Sequence, residues 1–292
     1  MTIKLIAYPG GIGRARLIEN AVWYIGLSVA ALVFFFPFFW TVSSSLKHPS
    51  ELFSFPPLML PAVPQWHNYA RVFEKVPFML WTRNTVYLVA LGTVGRILSA
   101  SMAAFAFARS QFRGKDLFFL ITLSTMMLPA QVTLIPQFVL FHKLGWINTL
   151  KPMWVPAWFG GGAFAIFLMR QFMMTIPREL DESAFIDGAS SFRIFWSIIL
   201  PLCPAALATL AVISMIGQWN AFIEPLIYIR SERLLTIAVG LNYLKNQPEL
   251  GGLPMQHLLM AASVMSTAPL VILFFAAQKY FVQGIALTGI KG

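Results

Sequence analysis

Charged residues are scarce in this chain, and their scarcity excludes most soluble folds. Only 11% of the 292 residues are charged and 58% are apolar, whereas soluble domains carry roughly 25% charged residues. A soluble domain with so little charge could not cover its own surface. Because lipid offers no partner for backbone N–H and C=O groups, apolar runs that cross a bilayer must be helical. The composition therefore predicts an all-α integral membrane protein.

The sequence also lacks the residues that most catalytic and metal chemistry needs. Cys203 is the single cysteine, which excludes an intrachain disulfide and a paired-thiol site. No Gly-x-x-x-x-Gly-Lys-Ser/Thr phosphate loop occurs, since Gly114-Lys115 is followed by Asp116 and lacks the first glycine. The four histidines are scattered, and no Ser/His/Asp arrangement can be nominated. We therefore predict no catalytic residue, no metal site and no cofactor held by this chain alone.

The net charge of +10 does not indicate a nucleic-acid partner. The Lys and Arg residues form no basic stripe and instead lie in short clusters at the ends of apolar runs, as in membrane proteins. They divide almost equally between the two sides of the predicted bundle. The densest clusters, the N-terminal arm with Lys4, Arg14 and Arg16 and the loop between Arg109 and Lys115, favour a cytoplasmic N-terminus.

Six apolar runs are long enough to cross a bilayer as helices. They lie at residues 21–40, 84–108, 117–141, 152–169, 198–223 and 258–278. The first run is too long for a signal peptide, and no small-residue cleavage site follows it, so we expect it to be retained. Prolines and Gly160-Gly161-Gly162 interrupt several runs, which predicts an irregular bundle and nothing sharper.

The loop at residues 175–201, between the fourth and fifth runs, has a pattern of its own. Thr175 is predicted to cap a short helix and Pro177 to occupy its first turn, with acidic residues near the positive end of the helix dipole. Gly188 is predicted to end this helix, because glycine readily adopts the left-handed conformation. A second helix is predicted to begin near Ser190 and to run toward the proline that closes the loop.

This loop resembles the signature loop of ABC-importer permeases. The motif residues follow the family spacing: Glu182-Ser183-Ala184, Gly188, Ile198 and Leu200-Pro201. Ser183 stands where the family pattern has alanine, which exchanges one small residue for another. Five further segments resemble the carbohydrate-importer branch of this family, which includes the maltose-type and glycerol-3-phosphate-type permeases. They are residues 105–109, 186–190, 219–220, 278–284 and 291–292.

The resemblance implies a type I ABC importer permease fold and a coupling mechanism. In this family the loop is cytoplasmic and forms a coupling helix that docks in a groove of an ATP-hydrolysing subunit. Closure of two such subunits on ATP tilts the membrane bundle between inward- and outward-facing states. Glu182 would face basic groups or helix ends of the ATPase, Ala184 would pack in its groove and Gly188 would make the turn. The implied contact residues are Glu179, Glu182, Ser183, Ala184, Asp187, Gly188 and Ala189.

The resemblance also implies location, partners and cargo. The chain would lie in a bacterial cytoplasmic membrane with both termini cytoplasmic, and would form half of a pathway for a sugar or sugar-like solute. Its partners would be a second homologous permease, two ATP-binding subunits that hold ATP and Mg²⁺, and an extracytoplasmic solute-binding protein. The external loops at residues 42–83 and 224–257 would contact that binding protein, or would only cap the bundle.

Three regions are predicted along the chain. Residues 1–80 hold the N-terminal arm, the first helix and an external loop. Residues 81–282 hold a core of five helices with the coupling loop, and residues 283–292 form a cytoplasmic tail.

Arg96 lies near the middle of the second run, where a charge is costly. In the functional interpretation, Arg96 lines the translocation path or pairs across a subunit interface. In the structural interpretation, it forms a salt bridge within the chain or extends its side chain to the membrane surface. Trp154, Trp158 and Phe159 could stack on a sugar, but an interfacial aromatic belt is favoured.

The competing functional class is a secondary transporter or channel, driven by an ion gradient. Such proteins usually carry several ionisable residues inside their spans, and only Arg96 qualifies here. A membrane scaffold that moves nothing is a third alternative; it predicts that a bulky residue in place of Gly188 leaves transport untouched.

Overall fold

The computed structural model describes residues 14–246 and 255–288, with side chains described for 19–246 and 255–278. Every regular element within these ranges is helical, as a chain that must satisfy its backbone groups inside lipid requires. Lys4, residues 289–292 and the part of the second external loop at 247–254 lie outside the described residues. The division at residues 80 and 282 stays a prediction.

From residue 14, where the described residues begin, the first half of the chain contains seven α-helices. They are α1 Arg14–Ser45, α2 Pro49–Leu52, α3 His67–Lys75, α4 Phe78–Arg109, α5 Lys115–Ser124, α6 Ala130–Lys143 and α7 Lys151–Trp154. Two 3₁₀ turns, Thr125–Met127 and Val155–Trp158, follow α5 and α7.

The described residues of the second half form seven more. They are α8 Ala163–Met174, α9 Glu179–Ile186, α10 Ser191–Ile194, α11 Pro204–Trp219, α12 Ile223–Tyr228, α13 Ile237–Lys245 and α14 Gln256–Thr288. A π-helical segment, Phe195–Ile199, and a 3₁₀ turn, Leu200–Leu202, connect α10 to α11. Another 3₁₀ turn, Glu232–Leu234, precedes α13.

In the part of the chain that the structure describes, four helical stretches are long and apolar enough to cross a membrane by themselves. They are Glu19–Ser45, Phe78–Arg109, Lys151–Met174 and Gln256–Gln278. They correspond to the first, second, fourth and sixth predicted spans, although Phe78–Arg109 begins six residues before the predicted start at residue 84. Two bent helix pairs raise the number to six when each pair is counted as one span.

The continuous helices predicted at 117–141 and 198–223 were wrong. Lys115–Met127 and Ala130–Lys143 are bent by 100°, and Ser191–Leu202 and Pro204–Trp219 by 81°. Each bend precedes a new helix that begins at or just after a proline, Pro129 or Pro204. Proline removes a backbone donor and disfavours the helical conformation of the residue before it, so the ladder of hydrogen bonds cannot continue through either point.

The fourth span is interrupted by Gly160-Gly161-Gly162, whose φ angles are 95°, 65° and 93°. Side-chain-bearing residues rarely adopt this left-handed region. At Gly161 the absence of a side chain also allows a close approach, because a Cβ there would lie 2.6 Å from the carbonyl oxygen of Arg96 on α4. The glycines therefore let the broken span pack directly on the backbone of α4.

Helix α4 is the centre of the bundle and packs most extensively against α8 and α11. One apolar cluster joins Ala100, Ala104 and Ala108 of α4 to α8, α9, α10 and the start of α11. Alanines spaced four residues apart give a smooth surface that lets neighbouring helices approach closely. A second cluster, around Trp81 and Trp219, joins the other end of α4 to α3, α11, α13 and α14.

The regions expected to be external loops contain short helices that pack on the bundle. Helix α3 packs on α14, and α13 packs on both α4 and α14. Helix α1, in contrast, contacts α14 but leaves its apolar side chains exposed, with no residue of its most apolar stretch buried inside the chain. In a bilayer, lipid covers such a surface.

We predict that Gly161→Ala destabilises the bundle more than Gly145→Ala does. Both glycines have similar positive φ angles, 65° and 67°, but a Cβ at Gly145 meets no atom within 4 Å. The difference therefore reports the clash with α4, and overpacking of this kind costs about 1–3 kcal/mol. Thermal unfolding of the two purified variants in one detergent measures it, and equal melting temperatures would contradict this account of the packing.

Candidate functional site

The signature loop contains two short helices, α9 and α10, separated by a glycine turn. Gly188 has φ 78°, its N–H donates to the carbonyl of Phe185 at 3.0 Å, and the N–H of Ala189 donates to that of Ala184 at 2.9 Å. The hydroxyl of Ser190 then accepts from the N–H of Arg193 at 3.3 Å and caps α10. The predicted turn at Gly188 and the second helix are therefore present.

The start of α9 differs from the prediction. Thr175 does not cap α9 but lies at the end of α8, where its hydroxyl donates to the carbonyl of Phe172 at 2.8 Å. Pro177 precedes α9, which begins at Glu179 with no side-chain cap. The sequence pattern could not show that α8 extends to Met174 and takes Thr175 as its own terminal residue. The three acidic residues expected near the positive end of α9 do occupy its first turn.

An ion pair fixes α9 to the end of α4. The Arg109 guanidinium lies 3.4 Å from the Asp181 carboxylate, and the two side chains are 5% and 13% exposed. Arg109 also donates to the carbonyl of Ile176 at 2.8 Å, so one side chain holds both the helix and the segment that leads into it. Burial raises the pKa of the Asp181 carboxyl, and the positive charges of Arg109 and Arg178 oppose that rise without cancelling it.

Helix α9 has one face inside the chain and one face outside it. Asp181 and Ala184 are buried, whereas four residues spaced along the opposite face are exposed. They are Glu179, Glu182, Ser183 and Ile186. A spacing of three, four and seven residues places side chains on one helix face.

Ala184 does not have the position that the resemblance implied. It is 7% exposed and belongs to the apolar cluster shared with α4, α8 and α10. Its small side chain lets α9 lie close to its own bundle, so it is not available to a partner's groove. Asp187 and Gly188 are exposed and Ala189 is half-buried; their contact with an ATPase stays a prediction.

Two apolar side chains on α9 were missed by sequence reasoning. Ile186 is 87% exposed and Phe185 is 55% exposed, although both follow a conspicuously acidic first turn. The sequence feature that could have indicated their exposure was their position at the end of a short helix whose small residues face the bundle. Phe185 also lines, with Arg109, Arg178 and Asp181, a cavity of about 450 Å³ between α4, α9 and α10.

Arg96 is half-buried on α4, and its Nε is enclosed without a hydrogen-bond partner. Within the described residues it forms no close ion pair, but the carboxylate of Glu224 on α12 lies within electrostatic reach. Sequence reasoning missed Glu224 because it falls one residue beyond the predicted fifth span. The sequence feature that could have indicated Glu224 was its position at the edge of an apolar run.

The three aromatic residues considered for sugar stacking do not converge on one site. Trp154 lines an open cavity of about 540 Å³ together with Arg83, Tyr87 and Lys151. Trp158 packs on α4, where a Cβ at Gly95 would overlap its ring, and Phe159 is 82% exposed. An aromatic belt stays the prediction for the last two.

Within the described residues no group of three or more His, Cys, Asp or Glu side chains could hold a metal ion. The features that stand out in the described residues are the exposed outer face of α9 and the polar groups around Arg96.

Sequence comparison places these features in a family. A family model described as "binding-protein-dependent transport system inner membrane component" matches residues 96–287. The arabinooligosaccharides transport system permease protein AraQ of Halalkalibacterium halodurans is 31% identical over 271 residues, which cover 92% of this chain and 95% of the relative.

Two other relatives are similar over nearly their whole length. The trehalose/maltose transport system permease protein MalG of Thermococcus litoralis is 30% identical and covers 96% of this chain and 99% of its own. The sn-glycerol-3-phosphate transport system permease protein UgpE of Yersinia pestis is 30% identical and covers 90% of this chain and 94% of its own.

Solved structures share the fold. A chain from the crystal structure of a bacterial ABC transporter involved in the import of the acidic polysaccharide alginate matches with a TM-score of 0.82 at 26% identity, covering 92% of this chain and 98% of that one. A chain of the alginate transporter in complex with its pentasaccharide-bound periplasmic protein matches with a TM-score of 0.64 at 16% identity, covering 89% and 94%, which shows the fold alone.

The predicted all-α permease fold is therefore confirmed, and so is the prediction that this chain is a multi-pass membrane subunit and not an ATPase. The chain belongs to the family of binding-protein-dependent transport system inner membrane components, and within it to the carbohydrate-type permeases of ABC importers.

Proposed function

We propose that this chain is one permease subunit of an ATP-driven importer and forms half of the translocation pathway for a sugar or sugar-like solute. It would receive the motion of an ATPase subunit through α9. The observation that carries this proposal is the two-faced coupling helix. Its inner face is fixed to α4, and its outer face is exposed and matches the family's signature in sequence.

The cargo class follows from the relatives. Their names refer to arabinooligosaccharides, to trehalose and maltose and to sn-glycerol-3-phosphate, and the similar structure comes from an alginate importer. Each of these solutes carries more than one hydroxyl group, and sn-glycerol-3-phosphate and alginate also carry acidic groups. We take a polyhydroxylated solute as the cargo of this chain.

The partners follow from the same likeness. One similar structure contains a periplasmic solute-bound protein, which supports an extracytoplasmic receptor for this chain. A second homologous permease would complete the pathway, and two ATP-binding subunits would hold ATP and Mg²⁺. Both termini would lie in the cytoplasm, since α9 must lie on the side where ATP is hydrolysed.

The mechanism that this geometry supports is a mechanical one. An ATPase that moves the outer face of α9 moves its inner face as well, because an eight-residue helix is rigid. The Arg109–Asp181 pair and the packing of Ala184 would carry that displacement to the cytoplasmic end of α4. Helix α4 crosses the bundle beside α8 and α11, so its tilt would change the shape of the pathway.

Solute uptake tests the proposal directly. We expect proteoliposomes that contain this chain and its partner subunits to accumulate solute only when ATP is supplied on the α9 side and the loaded receptor on the other. An imposed proton or sodium gradient without nucleotide should produce no uptake. Gradient-driven uptake without ATP would instead favour a secondary transporter.

We predict that Ile186→Glu weakens ATPase binding by roughly tenfold or more, because an ionised carboxylate is costly to bury in a docking groove. The side chain is 87% exposed in this chain, so its own fold should be unaffected. Co-purification of the ATPase subunit with the detergent-solubilised permease measures the effect. Phe112→Glu is the matched control, since Phe112 is an exposed apolar residue of the neighbouring cytoplasmic loop and is 42% exposed. Equal losses in both variants would contradict docking by α9.

We predict that Asp181→Asn destabilises the permease and uncouples it. It leaves the guanidinium of Arg109 buried without its counter-ion, which costs about 3–5 kcal/mol. Replacing both partners by apolar residues, Arg109→Met with Asp181→Leu, should restore most of the stability, because burial already opposes ionisation of Asp181.

The double variant separates stability from coupling. The double variant should regain the thermal stability of the original protein. The importer that contains it should still hydrolyse ATP but show little uptake, since only the packing of Ala184 then holds α9 against α4. Asp116→Asn serves as the control, because Asp116 is an exposed carboxylate at the start of α5, outside the signature loop. A double variant that transports normally would show that the ion pair has no part in coupling.

A further inference from the structure

Two opposite charges lie within electrostatic reach of each other beside the middle of α4. Arg96 belongs to the membrane-crossing helix α4, far from both of its ends. Glu224 lies at the start of α12, five residues after α11 ends at Trp219, and within electrostatic reach of Arg96. Because the two groups interact, Glu224 lies at about the same membrane depth as Arg96.

The two charges differ in how the chain covers them. Arg96 is half-buried, and its Nε is enclosed by protein. The side chain of Glu224 is exposed on the surface of this chain. An ionisable group at this depth faces the interior of an assembly or a water-filled cavity, because contact with hydrocarbon costs too much. The surface that carries Glu224 is therefore not covered by lipid.

A third polar group lies beside this pair. Gln218, on the last turn of α11, packs against Gly92, one helical turn before Arg96, so closely that a Cβ at Gly92 would overlap its amide. The Oε1 atom of Gln218 is buried and has no hydrogen-bond partner. A buried amide oxygen without a partner is costly unless water or a ligand reaches it.

The backbone around these side chains is broken at the same level. The Gly160-Gly161-Gly162 segment lies against the carbonyl of Arg96, and α11 ends two residues before Ala221, where the chain turns into α12. Irregular backbone within a membrane occurs where it is buried in protein or lines an aqueous cavity. The breaks and the polar side chains therefore point to the same face.

We propose that Arg96, Gln218 and Glu224 line the translocation pathway midway across the membrane and hydrogen-bond the solute as it passes. A guanidinium supplies five donors, a carboxylate two acceptor oxygens and an amide both kinds, which together suit the hydroxyl groups of a polyhydroxylated solute. The solute class rests on the proposed function. The inference that water reaches the face carrying Glu224 does not depend on the proposed function.

Thiol labelling tests the exposed face, because the chain has a single cysteine. Cys203 is 0% exposed, and its thiol donates to the carbonyl of Ile199 at 3.1 Å, so Cys203→Ser provides a background that keeps the contact. Glu224→Cys in this background is assembled with all partner subunits. Membrane-impermeant methanethiosulfonate reagents, one bearing a sulfonate and one a trimethylammonium group, are then applied.

The matched control is Val94→Cys. Val94 lies on α4 only two residues from Arg96, is 48% exposed and lines an apolar groove. We expect Glu224→Cys to react at least about tenfold faster than Val94→Cys, since hydrocarbon suppresses the thiolate that reacts. Equal, slow labelling of both variants would overturn the proposal.

The charge of the reagent tests the role of Arg96. With Glu224 removed, the sulfonate reagent should react about tenfold faster than the cationic one, a factor expected from unit charges about 10 Å apart in a partly aqueous site. Adding Arg96→Gln should abolish that preference. A preference that persists without Arg96 would show that the guanidinium does not face Glu224.

Uptake shows whether the pair acts on transport. Arg96→Glu and Glu224→Arg should each reduce ATP-driven uptake at least tenfold, because each places two like charges within electrostatic reach of each other in the pathway. The double reversal, Arg96→Glu with Glu224→Arg, should recover a large part of it. A double variant as inactive as either single variant would refute the pairing.

These outcomes are distinct from a failure of the importer function. Labelling reports water at Glu224 whether or not ATP drives uptake. Normal ATP-driven uptake with an unreactive Glu224→Cys would overturn the pathway site and leave the importer intact.

Discussion

A bilayer offers no hydrogen-bond partner to a backbone amide and no solvation to a charge, and the structure follows from that constraint. The spans are helices, the apolar side chains of α1 remain exposed where lipid covers them, and irregular backbone is tolerated where protein packs against it. The Gly160-Gly161-Gly162 break is an example, since it lies directly on the backbone of α4. Charges inside the bundle are equally confined, and Arg96 has Glu224 nearby.

Helix α4 connects the two functional regions. Its last residue, Arg109, is ion-paired to α9, and Arg96 lies near the middle of the same helix. In the mechanism that we propose, a displacement of α9 at the cytoplasmic surface would reach the pathway through this one helix. Ala100, Ala104 and Ala108 of α4 lie between the two arginines. Their small side chains give α4 a smooth surface along which α8 would slide in this mechanism.

Several features of the fold and of the site could be predicted from the amino-acid sequence because they depend on local physics. Span-length apolar runs, the glycine turn at Gly188 and the acidic first turn of α9 each follow from a few neighbouring residues. The errors came from choices between competing local signals. Thr175 could end one helix or begin the next, and Pro129 could kink a span or break it; the surrounding packing decided both.

The sequence by itself determined that this chain lies in a membrane, that it is helical and that its signature loop turns at a glycine, since composition and nearest neighbours are sufficient for each. Only the tertiary structure decided which face of α9 is free, that Ala184 is buried, and that Arg109 meets Asp181 and Arg96 lies near Glu224. The members of each charged pair lie 72 and 128 residues apart in the chain (181 − 109 and 224 − 96). No local pattern encodes such a proximity, because the two members of a pair approach each other only once the helices between them have packed.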